Sequence, residues 1–422
     1  MNKGKSKLAI NSGKSVVVDR CQSCGFVKLH SIIFLGYLPP VNNLIKVGSI
    51  PQEQPSYPAQ MLYCKRCHLV QLGLIVDPNI LFPPEYPYTS STTKVLRDNF
   101  KQLSEESAKL IPLKKTDLII DIGSNDGNLL NNFKDNNKVL GITPEEIGKI
   151  AIRNGIPTII DYFTEKVADK VLKKYGKAKI ITATNVFAHI EDVNEVIKNI
   201  KKILATDGVF ISESHYLLSL IKTVQYDTIY HEHLRYYSLH SLSYLLEMHG
   251  LEIFYASEIP PHGGSIRVYA ARKGKYKINN NVKMLLSVEK KVVTSVKQFE
   301  DFKDKVVSSK LKLYDLLNKI KQKGGTIYGI GAPARGSTLI SYTGLDADIM
   351  PCVLETKGSQ KVGKYMPGTL IPVFDEEKLF TDQPDYALLL SWHISRDLIP
   401  KLREKGFKGS FIVPLPIPCI VK

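Results

Sequence analysis

The sequence predicts an α/β chain in which two doubly wound units stand behind one small cysteine-bearing module. Three observations carry this expectation. Apolar runs of strand length alternate with helical patterns twice, between residues 118 and 213 and again between 326 and 413, the pattern of a mostly parallel sheet. Each stretch opens with a glycine turn directly after its first strand, and two Cys-x2-Cys pairs lie ahead of both. At 422 residues the chain has room for two to four domains of roughly 100–200 residues each.

Composition narrows the class. With 43% hydrophobic and 23% charged residues, the chain is globular rather than disordered, collagen-like or disulfide-stapled. The opening Met1-Asn-Lys-Gly-Lys-Ser-Lys7 is basic with no apolar stretch behind it, and no run reaches the ~18–20 apolar residues of a membrane span. A cytoplasmic protein with no membrane partner is expected. The excess of 57 basic over 41 acidic residues, +16, favours anionic partners. Much of it lies between Lys283 and Lys323, where eleven lysines face five acids on a helical apolar spacing, so a solvated helix face is the simpler reading. There is no helix-turn-helix, stacking aromatic pattern or arginine-rich arm, and nucleic acid is not an expected partner.

The elements follow in order. Residues 15–82 read as a small strand- and loop-rich unit, with prolines at 39, 40, 51, 55 and 58. Within it, Cys21-x2-Cys24 and Cys64-x2-Cys67 each turn two thiolates toward one point. Two such knuckles complete a tetrahedral site that suits zinc, closed and therefore structural; a pair of disulfides is disfavoured in a reducing compartment. The second unit, 83–275, begins with a connector from Pro83 that carries Tyr86 and Tyr88. A helical pattern from Val95 leads to the strand Leu118–Asp121, followed by strands at Lys138–Ile142, Thr158–Ile160, Ile180–Thr182 and Gly208–Glu213 with helices between. The third unit, 276–422, starts with the lysine-rich helices. It resumes alternation at Thr326–Ile330, Met350–Leu354, Tyr386–Leu390, a helix near Arg396–Lys405, and Ser410–Val413.

Four motifs carry chemistry. Asp121-Ile-Gly123-Ser-Asn125-Asp126-Gly127 follows a strand and precedes a helix expected from Asn128; its glycines permit close backbone approach to a ligand. It is neither G-x-G-x-x-G nor a P-loop, and alone it suits any nucleotide site or a plain connection. Tyr230-His-Glu232-His233-Leu-Arg-Tyr-Tyr237 is the densest ionisable cluster. Arg235 stands where a metalloprotease would need histidine, so proton transfer near neutrality is the better use of these residues, against a purely packed hydrogen-bonded cluster. Pro261-His262-Gly263-Gly-Ser265-Ile-Arg267 reads as an anion clamp. Gly329-Ile-Gly331-Ala-Pro-Ala-Arg335-Gly336 is a second glycine turn where a phosphate or nucleotide could sit; purely structural duty is an equal reading.

An acid followed by Gly-x-x-x-Gly resembles the first motif of class I S-adenosylmethionine (SAM) methyltransferases. In that family Asp161, after the third strand, stands at the adenine-binding acid, and Asn185-Val-Phe-Ala-His189 follows the fourth strand at the reactive end. Thr143 occupies the usual place of the ribose acid, a departure that leaves Glu145 or Glu146 for the task. Taken in order, all these motifs resemble the three-domain nucleotide-sugar C-methyltransferases over nearly the whole chain. The resemblance implies an N-terminal zinc-binding domain, a central Rossmann-like SAM methyltransferase domain and a C-terminal Rossmann-like α/β domain that binds the nucleotide sugar. It implies a nucleoside-diphosphate-linked 4-keto-6-deoxy sugar as substrate, methylated beside its ketone, usually at C-3. It makes His233 the candidate base, with Tyr230, Glu232 and His189 around the keto and enolate oxygens and Tyr86 or Tyr88 capping the site. A SAM-dependent O- or N-methyltransferase of a small metabolite, a zinc-containing nucleic-acid-binding protein and a silent sugar-nucleotide binder are the competing readings. The oligomeric state is left open, a monomer being compatible with the sequence.

Overall fold

A computed structural model of the protein describes residues 5–7, 15–49, 53–82 and 93–422. Tyr86 and Tyr88 lie outside the described residues. The run Leu118-Ile-Ile-Asp-Ile122 is buried at every position, as a parallel strand covered on both faces requires. It pairs in parallel with Lys138–Thr143 on one side and Ala178–Thr184 on the other. Thr158–Ile160 and Leu204–His215 extend the two flanks, also in parallel. Ser265–Arg272 then inserts antiparallel between Leu204–His215 and Leu251–Ile259, giving seven strands. The order reverses beside Leu118–Ile122, and it is at such a switch, outside the carboxyl ends of the strands, that open α/β sheets leave a crevice.

The covering helices follow from spacing. Val193–Ile203 buries Val193, Val196, Ile197, Ile200 and Ile203, one apolar stripe of a 3.6-residue period. Asp192 caps it by accepting from the Glu195 backbone N–H at 3.0 Å, a contact worth about 1 kcal/mol. The helix expected from Asn128 is replaced by turns and one 3-10 turn, Leu130–Asn132. There the Asn132 amide donates to the carbonyls of Asn128 and Leu129, taking backbone acceptors that a continuing helix would use. The next helix opens at Gly148.

The third unit repeats the plan. Ile327–Ile330 lies between Val353–Glu355 and Tyr386–Leu389, flanked by Val373–Asp375 and Ser410–Val413, all parallel; Cys419–Val421 adds an antiparallel edge. The lysine-rich stretch forms two helices, Asn280–Val293 and Val296–Gln322. The longer buries Phe299, Phe302, Val306, Leu313, Leu317 and Ile320 while Lys303, Lys305, Lys312 and Lys321 are exposed, so this charge is a solvated face.

In the first unit, Leu29–Leu38, Tyr57–Cys64 and Val70–Leu72 form an antiparallel sheet. Its fourth strand, Arg235–Tyr236, comes from the end of the His/Glu/Tyr cluster itself. The loop after Leu38 also bonds to the third unit, with Tyr365 donating to the Ile45 carbonyl and Val47 to that of Gly363. The three units also meet around one segment, residues 225–236, which pairs with the first unit's sheet through Arg235–Tyr236 and receives Arg335 of the third unit on Asp227. No helix among the described residues is long and apolar enough to cross a membrane.

Candidate functional site

The metal centre is the simplest part. The sulfurs of Cys21, Cys24, Cys64 and Cys67 all lie within 4.8 Å of one another, with Cys21–Cys67 at 3.4 Å and Cys24–Cys64 at 3.6 Å. Four thiolates about 2.3 Å from a central ion stand at comparable separations, so the set fits zinc. Each knuckle is closed by its own backbone: Gly25 N–H to the Cys21 carbonyl, His68 N–H to the Cys64 carbonyl. Both turn residues take positive φ, 73° and 59°. His68 bonds Tyr63 through Nδ1 at 2.6 Å; it supports the knuckle from outside.

The first glycine turn lies at the crevice. Asp121 is buried beneath it, its carboxylate accepting from the Thr182 hydroxyl at 2.6 Å. Burial pushes its pKa up to about 7 against that hydrogen bond. Gly123 has φ 76°, and a Cβ there would stand 2.3 Å from Val186 Cγ2; Gly127, at φ 81°, would meet Ile156 and Ala151. Asn125, also at positive φ, donates to Glu145 across the crevice at 3.3 Å. Glu145 is half-buried, and burial raises its pKa, opposed by the Asn125 bond. Asp126 is buried and receives the Asn128 N–H. The buried Ser124 hydroxyl and Asn128 amide nitrogen have no protein partner. Acids, free polar atoms and an open turn on one edge suit a ligand bearing an amino group, hydroxyls and a purine, as SAM does. Thr143 is buried against Gly148, and Glu146 faces solvent paired with Lys149, so Glu145 is the acid left at the edge. Asp161 is exposed at the end of its strand, accepting from the Tyr162 N–H. Asn185 takes φ 56° and donates its N–H to the Glu213 carbonyl.

The His/Glu/Tyr cluster gathers beside that edge. Tyr230 and His233 rings lie 4.2 Å apart, and His189 and His233 5.1 Å. His233 Nδ1 meets the Thr228 carbonyl at 2.9 Å, and His189 Nδ1 the Glu232 carbonyl at 2.6 Å. A carbonyl only accepts, so each Nδ1 carries the proton and each neutral ring keeps its lone pair on Nε2. Burial, then the neighbouring His189, holds His233 well below the ordinary imidazole range. Burial likewise lowers His189 and raises Tyr230 well above the usual phenol range. Glu232 is buried and accepts from Asn42 of the first unit at 2.7 Å. His231 points the other way, to the Pro58 carbonyl.

The expected anion clamp divides. His262 and Gly263, at φ 60° and 84°, remain at the site, with His262 Nε2 buried and unpartnered. Ser265 is buried, its hydroxyl on the Pro261 carbonyl. Arg267 does not serve an anion: it is fully buried, with Glu213 at 2.6 Å, Glu106 at 2.8 Å and Asn99 at 2.9 Å saturating its guanidinium. It braces the helix Lys94–Leu110 to the sheet. Arg335 is likewise engaged, forked onto Asp227 at 2.7 and 2.9 Å. At the second turn, Ala332 N–H is held by Glu355 and its carbonyl by Lys361, and a Cβ on Gly331 would meet Ser391 Oγ at 2.5 Å.

Sequence reasoning missed Asn42, His215, Gln225, Asp227, Lys361, Trp392 and His393. His215 Nε2 meets Gln225 Oε1 at 3.2 Å; His215 Nδ1 and His393 Nδ1 are buried without partners. Burial and then the Arg335 charge push His215 to about 3 and His393 to about 2; His262, by the same causes, falls to about 4. One signal was available: Trp392 is the only tryptophan in the chain and follows a strand end.

The chain matches three family models in succession: a zinc binding domain over residues 21–82, a methyltransferase domain over 91–256 and a C-methyltransferase C-terminal domain over 260–416. It is 31% identical to the C-methyltransferase NovU of Streptomyces niveus over 96% of this chain and 97% of that protein. Among solved structures, a SAM-dependent methyltransferase from Anabaena variabilis aligns with 43% of this chain and 86% of its own at 16% identity and a TM-score of 0.34. The magnesium protoporphyrin IX methyltransferase of Synechocystis aligns with 42% of this chain and 78% of its own at 13% identity and a TM-score of 0.31. Neither bears on the assignment at those scores. The near full-length relationship does: the chain belongs to the C-methyltransferase family and is a SAM-dependent methyltransferase with a zinc-binding amino-terminal module.

Proposed function

We propose that the protein methylates the carbon beside the ketone, C-3 by family resemblance, of a nucleoside-diphosphate-linked 4-keto-6-deoxy sugar. The observation that carries this reading is a neutral imidazole with its lone pair on Nε2, His233, packed 4.2 Å from a phenol that stays protonated, Tyr230. A C–H beside a ketone can be removed when the developing enolate oxygen is stabilised by a fixed donor. His233 Nε2 takes that proton, the Tyr230 hydroxyl donates to the enolate oxygen, and His189 lines the same wall. Glu232, anchored by Asn42, orients the keto end of the sugar. SAM, when bound, supplies the electrophilic methyl group that the enolate carbon accepts. The 121–127 turn, Glu145, Asp161 and Asn185 hold that cofactor, with Glu145 as ribose partner. His262 and Gly263 line the substrate side, while the second turn at Gly331 is held from within by Glu355 and Lys361.

The test is incubation of the zinc-loaded enzyme with SAM and a panel of nucleoside-diphosphate 4-keto-6-deoxy sugars. Gain of one CH2 unit on the sugar, mapped to carbon, is expected. A methyl mapped to oxygen or nitrogen, or no transfer across the panel, would reject the reading.

A further inference from the structure

Asp227 is fully buried and receives three donors from the third unit: Arg335 Nε and Nη2, at 2.7 and 2.9 Å, and Trp392 Nε1 at 2.7 Å. The guanidinium also lies 4.9 Å over the Trp392 ring. Its Nη2 reaches Gln225 Oε1 at 3.2 Å, and its Nη1 the His262 carbonyl at 3.4 Å. Arg335 thus has no fork left for a phosphate. What it grips is a short buried 3-10 turn, Tyr226–Thr228, bonded locally through Thr228 Oγ1 to the Gln225 carbonyl, its Thr228 carbonyl also accepting from the Tyr236 hydroxyl at 3.4 Å. The carbonyl next to Asp227 is that of Thr228, on which His233 Nδ1 is anchored.

We propose that Arg335, with Trp392, is a positioning residue: by clamping Asp227 it fixes the Thr228 carbonyl and so holds His233 in the tautomer whose Nε2 is free to accept a proton. A neutral imidazole has two tautomers, and the hydrogen bond made by one nitrogen decides which is present. The bidentate, buried ion pair adds to the packing and to the Tyr236 hydroxyl in fixing that carbonyl, and the better it is fixed the more fully one tautomer is populated. The third unit is then part of the proton-transfer machinery, and its glycine turn delivers the start of the helix Ala334–Thr343 to the 225–228 segment. The inference rests on His233 being the base of the proposed reaction.

The experiment uses full-length, zinc-loaded protein with 15N-labelled histidine, wild type against Asp227→Asn, Arg335→Lys and Trp392→Phe. Long-range 15N–1H spectra read the His233 tautomer without any substrate, with His233→Ala identifying the signal. The wild type should show one Nδ1–H tautomer and the Asp227→Asn and Arg335→Lys proteins a mixture. In turnover, kcat should fall by up to about 10²-fold, the effect of misplacing a catalytic group by an ångström, while the sugar KM and SAM affinity stay unchanged. Trp392→Phe keeps a ring beneath Arg335 and removes one bond, so it should shift both readouts in the same direction by less; it decides the matter should the charged-pair variants fail to fold. A raised KM with unchanged kcat and tautomer in Arg335→Lys would make Arg335 an anion binder and overturn the proposal. So would a lowered KM in Asp227→Asn, where the arginine is released. If no keto sugar is turned over, the tautomer spectra still decide the clamp, and the two failures stay separate.

Discussion

Two glycine turns in this protein follow the first strand of two sheets with the same order at their centres, yet they end in opposite states. The turn at Gly123 faces a crevice edged by Asp126 and Glu145, with the buried Ser124 hydroxyl free of protein partners. The turn at Gly331 is engaged by its own unit: Glu355 takes an amide and Lys361 a carbonyl. One topology therefore yields a ligand edge and a scaffold. Glycine spacing is common to both; what differs is which side chains the neighbouring strands bring to the turn.

His233→Ala should have the largest effect, removing the proposed base. Turnover should drop by about 10²–10⁴-fold, the usual worth of a general base, with SAM affinity intact. Solvent-deuterium exchange at the sugar carbon without SAM isolates that step; exchange at the wild-type rate would shift the role to His189 or Tyr230.

Gly123→Val and Gly331→Val test the contrast itself. A left-handed φ costs an L-residue roughly 1–2 kcal/mol, and Val186 Cγ2 stands 2.3 Å from the new Cβ. Because that clash forces the ligand-facing turn to shift, SAM binding to Gly123→Val should weaken about tenfold or more, a loss of about 1.4 kcal/mol or more of contact. Gly331→Val should leave SAM affinity alone. Calorimetry showing equal losses would erase the distinction between the turns.

Acid should weaken the seam between the second and third units before it affects the zinc knuckles. His215, His262 and His393 are held neutral, at about 3, 4 and 2, against about 6.5 when unfolded. Below pH 6.5 the unfolded chain binds more protons than the native one, so stability falls as pH drops toward those values, by up to about 1.4 kcal/mol per pH unit for each group. The melting temperature should decline from pH 7 to 5, and a His393→Gln variant should decline less steeply. A parallel decline in both would show that His393 plays no part.

Glu355→Ala should be the mildest change. It strips a hydrogen bond from the Ala332 amide, costing about 1–3 kcal/mol of stability, which denaturant titration reads. Unchanged SAM affinity is expected; a large loss would mean that the second turn communicates with the cofactor edge.

Much of the plan was legible. The alternation of fully apolar runs with amphipathic stretches specified both parallel sheets, because a strand covered on two faces must be apolar throughout. The Cys-x2-Cys pairs declared four convergent thiolates, since ligand spacing is local. Arg267 and Arg335 were misread for the converse reason: an arginine beside a glycine turn has the same local signature whether it meets a phosphate or a buried carboxylate. Asp227 was overlooked because its partners lie 108 and 165 positions away along the chain.

The sequence by itself thus determined the strands, their order of appearance, the knuckles and the residue types available for proton transfer, all properties of short-range pattern. Only the tertiary structure decided which of those residues meet. It placed Asn42 on Glu232, Arg335 on Asp227 and Glu213 on Arg267. Buried charges and polar groups must find partners wherever the fold brings them, and that pairing is a property of three dimensions.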